Sequence, residues 1–431
     1  MNATQNATQD RVSRPSTWYL SGLACLMGIA ITIVLSPNYR WSEQEVDHPY
    51  GSDFLQEWIG GRMLLTGHGG ELYNVQQFAS WQHAPENIGF RWNEERFYPP
   101  VYPPIHYALF APWSLLPYRW AVLLWMGLLW VVAFISAGMI AVIGREETAW
   151  QADSDSTWHR WLPFLWIPLV LFPPVLLSIQ LGQKSLLWLL ILCITYRLLQ
   201  RRSDWKAGVV FGLMSLKPTL FFLLPLFMLR HGRWRFCAGA GITVGLLWGA
   251  GFLLLPNSMW RGYWATLHQV THYASHVGYR SDWACNVLSL ADGFRPDWVA
   301  WGKLAICAPL ALYVVLCVFQ PPQKEVSLTG LLSVCLGTFL LAPHAYQYDL
   351  TLLLLPILGL SLQSARPSWS RYAVLAICIT LAATLWDAYH IPILPVALLG
   401  MLSVHRLHYR MENDAPPRTH TFARPFAAPT S

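Results

Sequence analysis

The sequence predicts an all-α polytopic membrane protein, and three observations predict it. Of the 431 residues, 54% are hydrophobic and only 12% are charged, where ordinary soluble domains carry about a quarter charged residues. Apolar runs recur along nearly the whole chain, and Arg and Lys collect in short clusters between them. The formal charge of +6 is spread over those clusters and not along a groove that tracks phosphates. The bilayer is therefore the expected partner, and nucleic acid is not.

The first run, Trp18 to Leu35, follows a polar head with Arg11 and Arg14, and no small-residue cleavage site precedes the acidic stretch beyond it. It reads as a retained helix behind a cytoplasmic tail, residues 1–17. Further apolar runs lie near 104–117, 119–143, 162–179, 184–199, 207–229, 236–255, 298–319, 327–341, 351–363, 372–386 and 391–404. They predict about 11–13 transmembrane or re-entrant helices, several too short to cross a core of about 30 Å upright. One domain over 18–410 holds them all, followed by a disordered cytoplasmic tail at 411–431 rich in Pro, Ala and Thr. Short, Pro-broken segments persist at membrane depth only where protein or a water-filled cavity satisfies their backbone. Their abundance predicts a site at the membrane edge.

Arg and Lys set the sides. Arg197, Arg201, Arg202 and Lys206 share one short loop, Arg230, Arg233 and Arg235 the next, and Arg406 and Arg410 follow the last segment. These ends face the cytoplasm. The loop 37–103 holds nine acids against four arginines and belongs outside, as does 256–297 with its tryptophans and His268, His272 and His276. Both ends of 207–229 are basic, which a single crossing does not allow; a hairpin bent at Lys217-Pro218 resolves the conflict.

The eight cysteines lie almost all in apolar runs with no CxxC pair, and His48, His68 and His83 have no metal-ligand spacing. No cofactor is implied, and a metal requirement is left open. Phosphate-binding and zinc-protease motifs are missing.

Five places carry polar groups suited to chemistry. In GSDFLQEWIGGRMLLTG, apolar residues at helical spacing predict an amphipathic helix lying on the membrane. Asp53 stands near its start, as an N-cap or as a catalytic carboxylate, with Trp58 and Arg62 following. In RFYPPVYPPIHYALF, four prolines forbid regular helix before Ile105 and place Tyr98, Tyr102 and His106 at the interface, as anchoring rings or as a substrate surface. Gln183 and Lys184, then Lys217, then His344, Tyr348 and Asp349 interrupt apolar runs. Charges at the centre of a bilayer cost about 2.5–3.5 kcal/mol each. Lys217 therefore either neutralises an acid such as Asp349 or holds a phosphate, as a point charge without a fixed fork.

The order of these blocks resembles that of the polyprenyl-phosphate-sugar-dependent glycosyltransferases of family 87, in the GT-C superfamily. The likeness runs over most of 52–360: the SDF…LY block, YPPVYPP with APWSLLP, LGQ, the Gly212…LKP block, SDWACNVLSLADG, and APHAYQYDL before a leucine run. The resemblance implies a GT-C fold whose external first loop, with juxtamembrane helices, covers the active site. It implies a lipid-linked sugar donor, mannose-like or pentose, and an Asp at the start of that loop as base, here Asp53. Some members carry a His-His pair where this chain has Tyr348-Asp349. Lys184 and Thr219 stand where others often have different polar residues.

The chemistry agrees on independent grounds. A polyprenyl phosphate already leaves well, so transfer to a lipid or glycan hydroxyl needs one carboxylate base and not the acid-and-base pair of glycoside hydrolysis. Asp53 takes that role. Lys217, with Arg62, His106, Gln183 and His344 as further donors, stabilises the departing phosphate. Trp58, Tyr98, Tyr102, Tyr348 and Asp349 are the candidate substrate contacts. The expected location is the bacterial inner membrane, with the site on the extracytoplasmic side and both termini cytoplasmic. Two other readings stay open: a transporter or flippase of a charged lipid, although no paired repeats are visible, and an inactive scaffold.

Overall fold

The computed structural model describes residues 45–46, 49–148, 169, 172–273, 284–291, 301, 303–319, 326–363 and 393–414. The first apolar run, the run 372–386 and both tails except residues 411–414 lie outside the described residues, as do His48 and His276. What is described is all-α apart from two-residue parallel strands, Glu45–Val46 and Arg91–Trp92.

Helix α1 (Ser52–Leu65) opens the first loop. It corrects the expectation of an amphipathic helix lying on a surface, because Phe54, Leu55, Gln56, Glu57, Trp58, Ile59, Gly60 and Gly61 are all buried, leaving no solvated face in the first two turns. It packs on α3 (Pro104–Phe110) and on the tight turn Ala111–Leu115 that follows. The prolines act as expected: residues 96–103 are not helical, and Pro104 serves as the first residue of α3, where no backbone donor is needed. Between α1 and α3 comes α2 (Val75–His83), capped by Asn74, whose side chain accepts from the Gln77 amide.

The long helix α4 (Tyr118–Thr148) follows. Trp120, Leu124, Leu128, Val131, Ile135 and Val142 are exposed at helical spacing, while Tyr118, Val122, Trp125, Leu129 and Ala133 face the core. One side of α4 is thus an unpartnered apolar stripe. Among the described residues two stretches are long and apolar enough to cross a membrane, Tyr118–Gly144 and Trp234–Leu254, and the other apolar helices are 10–17 residues long.

Next come α5 (Pro173–Gln180) and α6 (Ser185–Gln200), joined by a four-residue turn. Then α7 (Asp204–Phe211) runs through a short 3-10 turn to Lys217, where the chain breaks before α8 (Pro218–Phe221) and α9 (Leu223–Arg230). The 207–229 segment is a hairpin. Arg233, just past α9, donates to Asp204 at the start of α7 at 2.7 Å, so both basic ends lie at one end of the bundle. A methyl group on Gly208 would meet the Phe236 carbonyl oxygen at 2.0 Å, so α7 lies against the backbone of α10 (Trp234–Leu254). On α10 itself Ile242, Leu246, Phe252, Leu253 and Leu254 are exposed, a second uncovered apolar surface.

Helices α11 (Asn257–Tyr273), α12 (Ala308–Val318), α13 (Leu328–Leu341), α14 (Leu354–Gln363) and α15 (Ile393–Asp414) complete the described chain. Before α14 a 3-10 segment, Gln347–Leu353, is buried along its whole length against α5 and α6. The turn before it is clasped by the second loop: Cys285 donates its amide to Ala345 at 2.8 Å, and Asn286 donates Nδ2 to the Pro343 carbonyl at 3.0 Å.

Candidate active site

The site is assembled where the α5–α6 turn meets the start of α1. Gly51 and Asp53 donate their amides to the Gln180 and Leu181 carbonyls at 3.3 and 3.0 Å, satisfying two of the orphan donors of a helix N-terminus. Trp125 of α4 donates its indole N–H to the Gly182 carbonyl at 2.7 Å, closing the turn from the other side. Gly182 has φ +70°, and a Cβ there would lie 2.7 Å from that of Phe54. Only glycine suits both demands. Gly182→Ala is expected to lose about 1–2 kcal/mol from left-handed backbone alone and to lower catalytic rate together with thermal stability, as paired unfolding and transfer measurements would show.

Docked in this way, the turn presents two side chains to α1. Gln183 donates Nε2 to Asp53 Oδ2, and Lys184 donates Nζ to Glu57 Oε1. Asp53 is not the N-cap: Gly51 holds that position, no side-chain cap is made, and the Asp53 carboxylate turns to Gln183 instead. The capping alternative is thereby corrected. Burial pushes the Asp53 carboxyl above its ordinary range, and the Gln183 amide with the charges of Lys184 and Lys217 pulls it partly back.

Lys217 is brought to the same cluster by the break before Pro218. Its Nζ lies 2.5 Å from Asp349 Oδ1, so of the two sequence alternatives the structure shows the ion pair. Asp349 is fully buried; it also accepts from Ser185 Oγ at 3.1 Å and, through Oδ2, from the Tyr346 amide at 3.2 Å. As a candidate substrate contact Asp349 is therefore corrected: each oxygen is engaged inside the protein. Tyr348 lies beside the pair, with its ring centroid 5.0 Å from Lys217 Nζ. His344 is partly exposed, and Lys217 acts on it electrostatically.

Tyr102 and His106 also join the cluster, as buried walls and not as the interface anchors their prolines suggested. The Tyr102 ring carries Lys184 Nζ 4.1 Å from its centroid and stacks on His106 at 4.1 Å. His106 Nε2 is 3.5 Å from Glu57 Oε1, and neither ring nitrogen makes a hydrogen bond.

Three candidates are not brought there. Trp58 is buried and donates its indole N–H to the Leu116 carbonyl at 3.1 Å, so it packs α1 onto the turn before α4 and does not face a substrate. Arg62 donates to the Ser114 carbonyl at 3.3 Å; nine residues beyond Asp53, it stands roughly 13 Å along the helix. Tyr98 is held by Gln82, which donates to its carbonyl at 2.6 Å and accepts its amide at 2.9 Å, and it stacks on Trp92.

Glu57 was missed in the sequence, where it was counted only among the acids of the loop. Its signal was the spacing of four from Asp53, which puts both carboxylates on one helix face. No group of three His, Cys, Asp or Glu side chains forms a metal-binding cluster among the described residues. The six described cysteines form no disulfide with one another.

No curated protein and no solved structure matches the chain. The sequence profile of glycosyltransferase family 87 matches residues 101–343. That interval contains Tyr102, His106, Gln183, Lys184 and Lys217, and leaves Asp53 and Glu57 before it and Asp349 after it. Because it spans more than half of the chain and runs through the centre of the buried cluster, the protein belongs to glycosyltransferase family 87, a family of GT-C type.

Proposed function

We propose that this glycosyltransferase moves a sugar, of mannose-like or pentose class, from a polyprenyl-phosphate donor to a hydroxyl of a lipid or glycan acceptor. The observation that carries this reading is the charge balance of the cluster. Glu57 and Asp349 are each paired with a lysine, whereas Asp53 accepts from the neutral amide of Gln183. A carboxylate so held keeps lone pairs for an incoming hydroxyl proton.

In the proposed step, Asp53 takes the acceptor proton as the acceptor oxygen bonds to the anomeric carbon. The bond from that carbon to the phosphate oxygen breaks on the opposite face, and its electron pair leaves with polyprenyl phosphate. The configuration inverts. Charge building on the phosphate is met by Lys217, the less buried of the two lysines at 7% exposure, with His344 at its side. The residues of the step are all the chain's own.

The same reading makes the chain a polytopic protein of the bacterial inner membrane, with one domain over 18–410 and the 37–103 loop outside. The uncovered stripes of α4 and α10 support it, since contiguous apolar surface on a folded chain marks contact with lipid or protein. So does the hairpin at Lys217, which returns its basic ends to one side.

The test is transfer of labelled sugar from a panel of polyprenyl-phosphate sugars to a membrane lipid extract by purified protein in detergent. Product formed without a gradient or sealed compartment supports the transferase; transport that requires two compartments, with no new glycosidic bond, supports a flippase instead. The pH profile is a second check. Because burial raises the Asp53 carboxyl, kcat falls as pH drops through a value above the ordinary ~4 of aspartate. An acidic limb at or below that value argues against Asp53 as the base.

A further inference from the structure

Glu57 and Lys184 are 127 residues apart, fully buried and joined by a hydrogen bond. The mechanism above uses neither. A buried ion pair contributes little net stability over a well-packed apolar pair of the same volume, so stability is a poor account of it.

Its placement gives a better one. Asp53 and Glu57 are one helical turn apart, about 6 Å along the axis, and they engage Gln183 and Lys184, neighbours in the turn. One contact would let the turn pivot about Asp53; two contacts fix both its distance and its rotation. The Lys184 ammonium is further confined over the Tyr102 ring at 4.1 Å, and the backbone that carries this ring is held by Tyr73, which donates to the Tyr102 carbonyl at 2.6 Å. On the other side of Glu57, His106 is clamped between Tyr102 and Phe110, with ring centroids at 4.1 and 4.8 Å.

We propose that Glu57 and Lys184 form a positioning pair that holds Gln183, and through it the Asp53 carboxylate, in the geometry for proton abstraction. This rests on the reading of Asp53 as base. Neither residue contacts the reacting atoms; both act through Gln183.

The pair also affects how easily Asp53 carries its charge. The titratable and charged groups facing Asp53 are Lys184, Lys217, Asp349, Tyr102 and Tyr348, and of these Lys184 and Lys217 favour the carboxylate. Removing Lys184 therefore moves the acidic limb of the kcat profile to higher pH. That shift reports the loss of the Lys184 charge, while a fall in kcat at unchanged donor KM in a stable variant reports the displaced carboxylate, which a purely structural role would not produce.

The experiment compares wild type, Lys184→Met, Glu57→Gln and the double variant Glu57→Gln/Lys184→Met, with thermal unfolding, kcat, donor KM and pH profile for each. Each single variant strands one buried polar partner and is expected to unfold more easily. The double variant removes both charges together and regains stability. Its kcat is expected to stay about 10²-fold down, the loss that a displacement of about 1 Å can produce, with donor KM little changed and the acidic limb raised. A double variant that is stable and has wild-type kcat overturns the proposal. Asp53→Asn separates the two readings. If it keeps full activity the base assignment falls, and the positioning proposal with it; if it is inactive while the double variant matches wild type, only the positioning proposal falls.

Discussion

Asp53→Asn is expected to reduce transfer by about 10²–10⁴-fold, the usual contribution of a positioned general base, while leaving the fold intact. The amide keeps an oxygen to accept from Gln183, so the α5–α6 turn stays docked. It removes only the lone pair that takes the acceptor proton. The sign of the stability change is part of the expectation. Burial raises the Asp53 carboxyl in the folded chain, so the folded state holds this proton more tightly than the unfolded one. Above the unfolded value the ionised carboxyl therefore lowers stability, and the penalty grows until pH passes the folded value. The neutral amide removes that penalty, and the variant is expected to melt at a higher temperature than wild type at neutral pH. A dead variant that is also less stable would point to a structural role for Asp53 and away from a base.

Asp349→Ala is expected to give the largest loss of stability, about 3–5 kcal/mol, as when one partner of a buried ion pair is removed. Three donors lose their acceptor together: Lys217 Nζ, Ser185 Oγ and the Tyr346 amide. Lys217→Met should cost less, because Asp349 keeps the other two donors. The double variant Asp349→Asn/Lys217→Met should recover most of the loss without recovering transfer, since the cation that meets the phosphate is gone. Denaturant or thermal unfolding in detergent gives the order of these three, and an Asp349→Ala protein as stable as Lys217→Met contradicts the network as drawn.

Much of the helical frame was legible because it follows from local chemistry. Prolines at 99, 100, 103 and 104 place the start of α3, and Pro218 breaks the chain after Lys217. The basic residues flanking 207–229 require the hairpin that Arg233 and Asp204 close. Asp53, Gln183 and Lys217 stand out in sequence because polar groups in apolar surroundings need a reason to be there.

What was illegible depends on partners more than a hundred residues away. Nothing near Glu57 in sequence reveals that Lys184 lies on it, and nothing near Trp58 reveals the Leu116 carbonyl that its indole meets. The α1 sequence carries apolar residues at surface-helix spacing, yet the turn before α4 and the α5–α6 turn cover its remaining faces. Tertiary packing overrode the pattern there. Tyr102 and His106 have the composition of interface rings and became interior walls for the same reason.

The two ion pairs also differ in the order in which a growing chain can complete them. When Lys184 emerges, its partner Glu57 has already been made, whereas Lys217 precedes Asp349 by 132 residues. At roughly 5–20 residues per second that interval is about 7–26 s, during which the Lys217 ammonium has no counter-ion from its own network. The Glu57 carboxylate waits in the same way across 127 residues for Lys184, so the pairs differ in which charge waits, the carboxylate in the first and the ammonium in the second. A ribosome-arrested chain ending before Asp349 should already protect the Glu57–Lys184 contact while leaving Lys217 open to amine-modifying reagents, and only synthesis past Asp349 should close it.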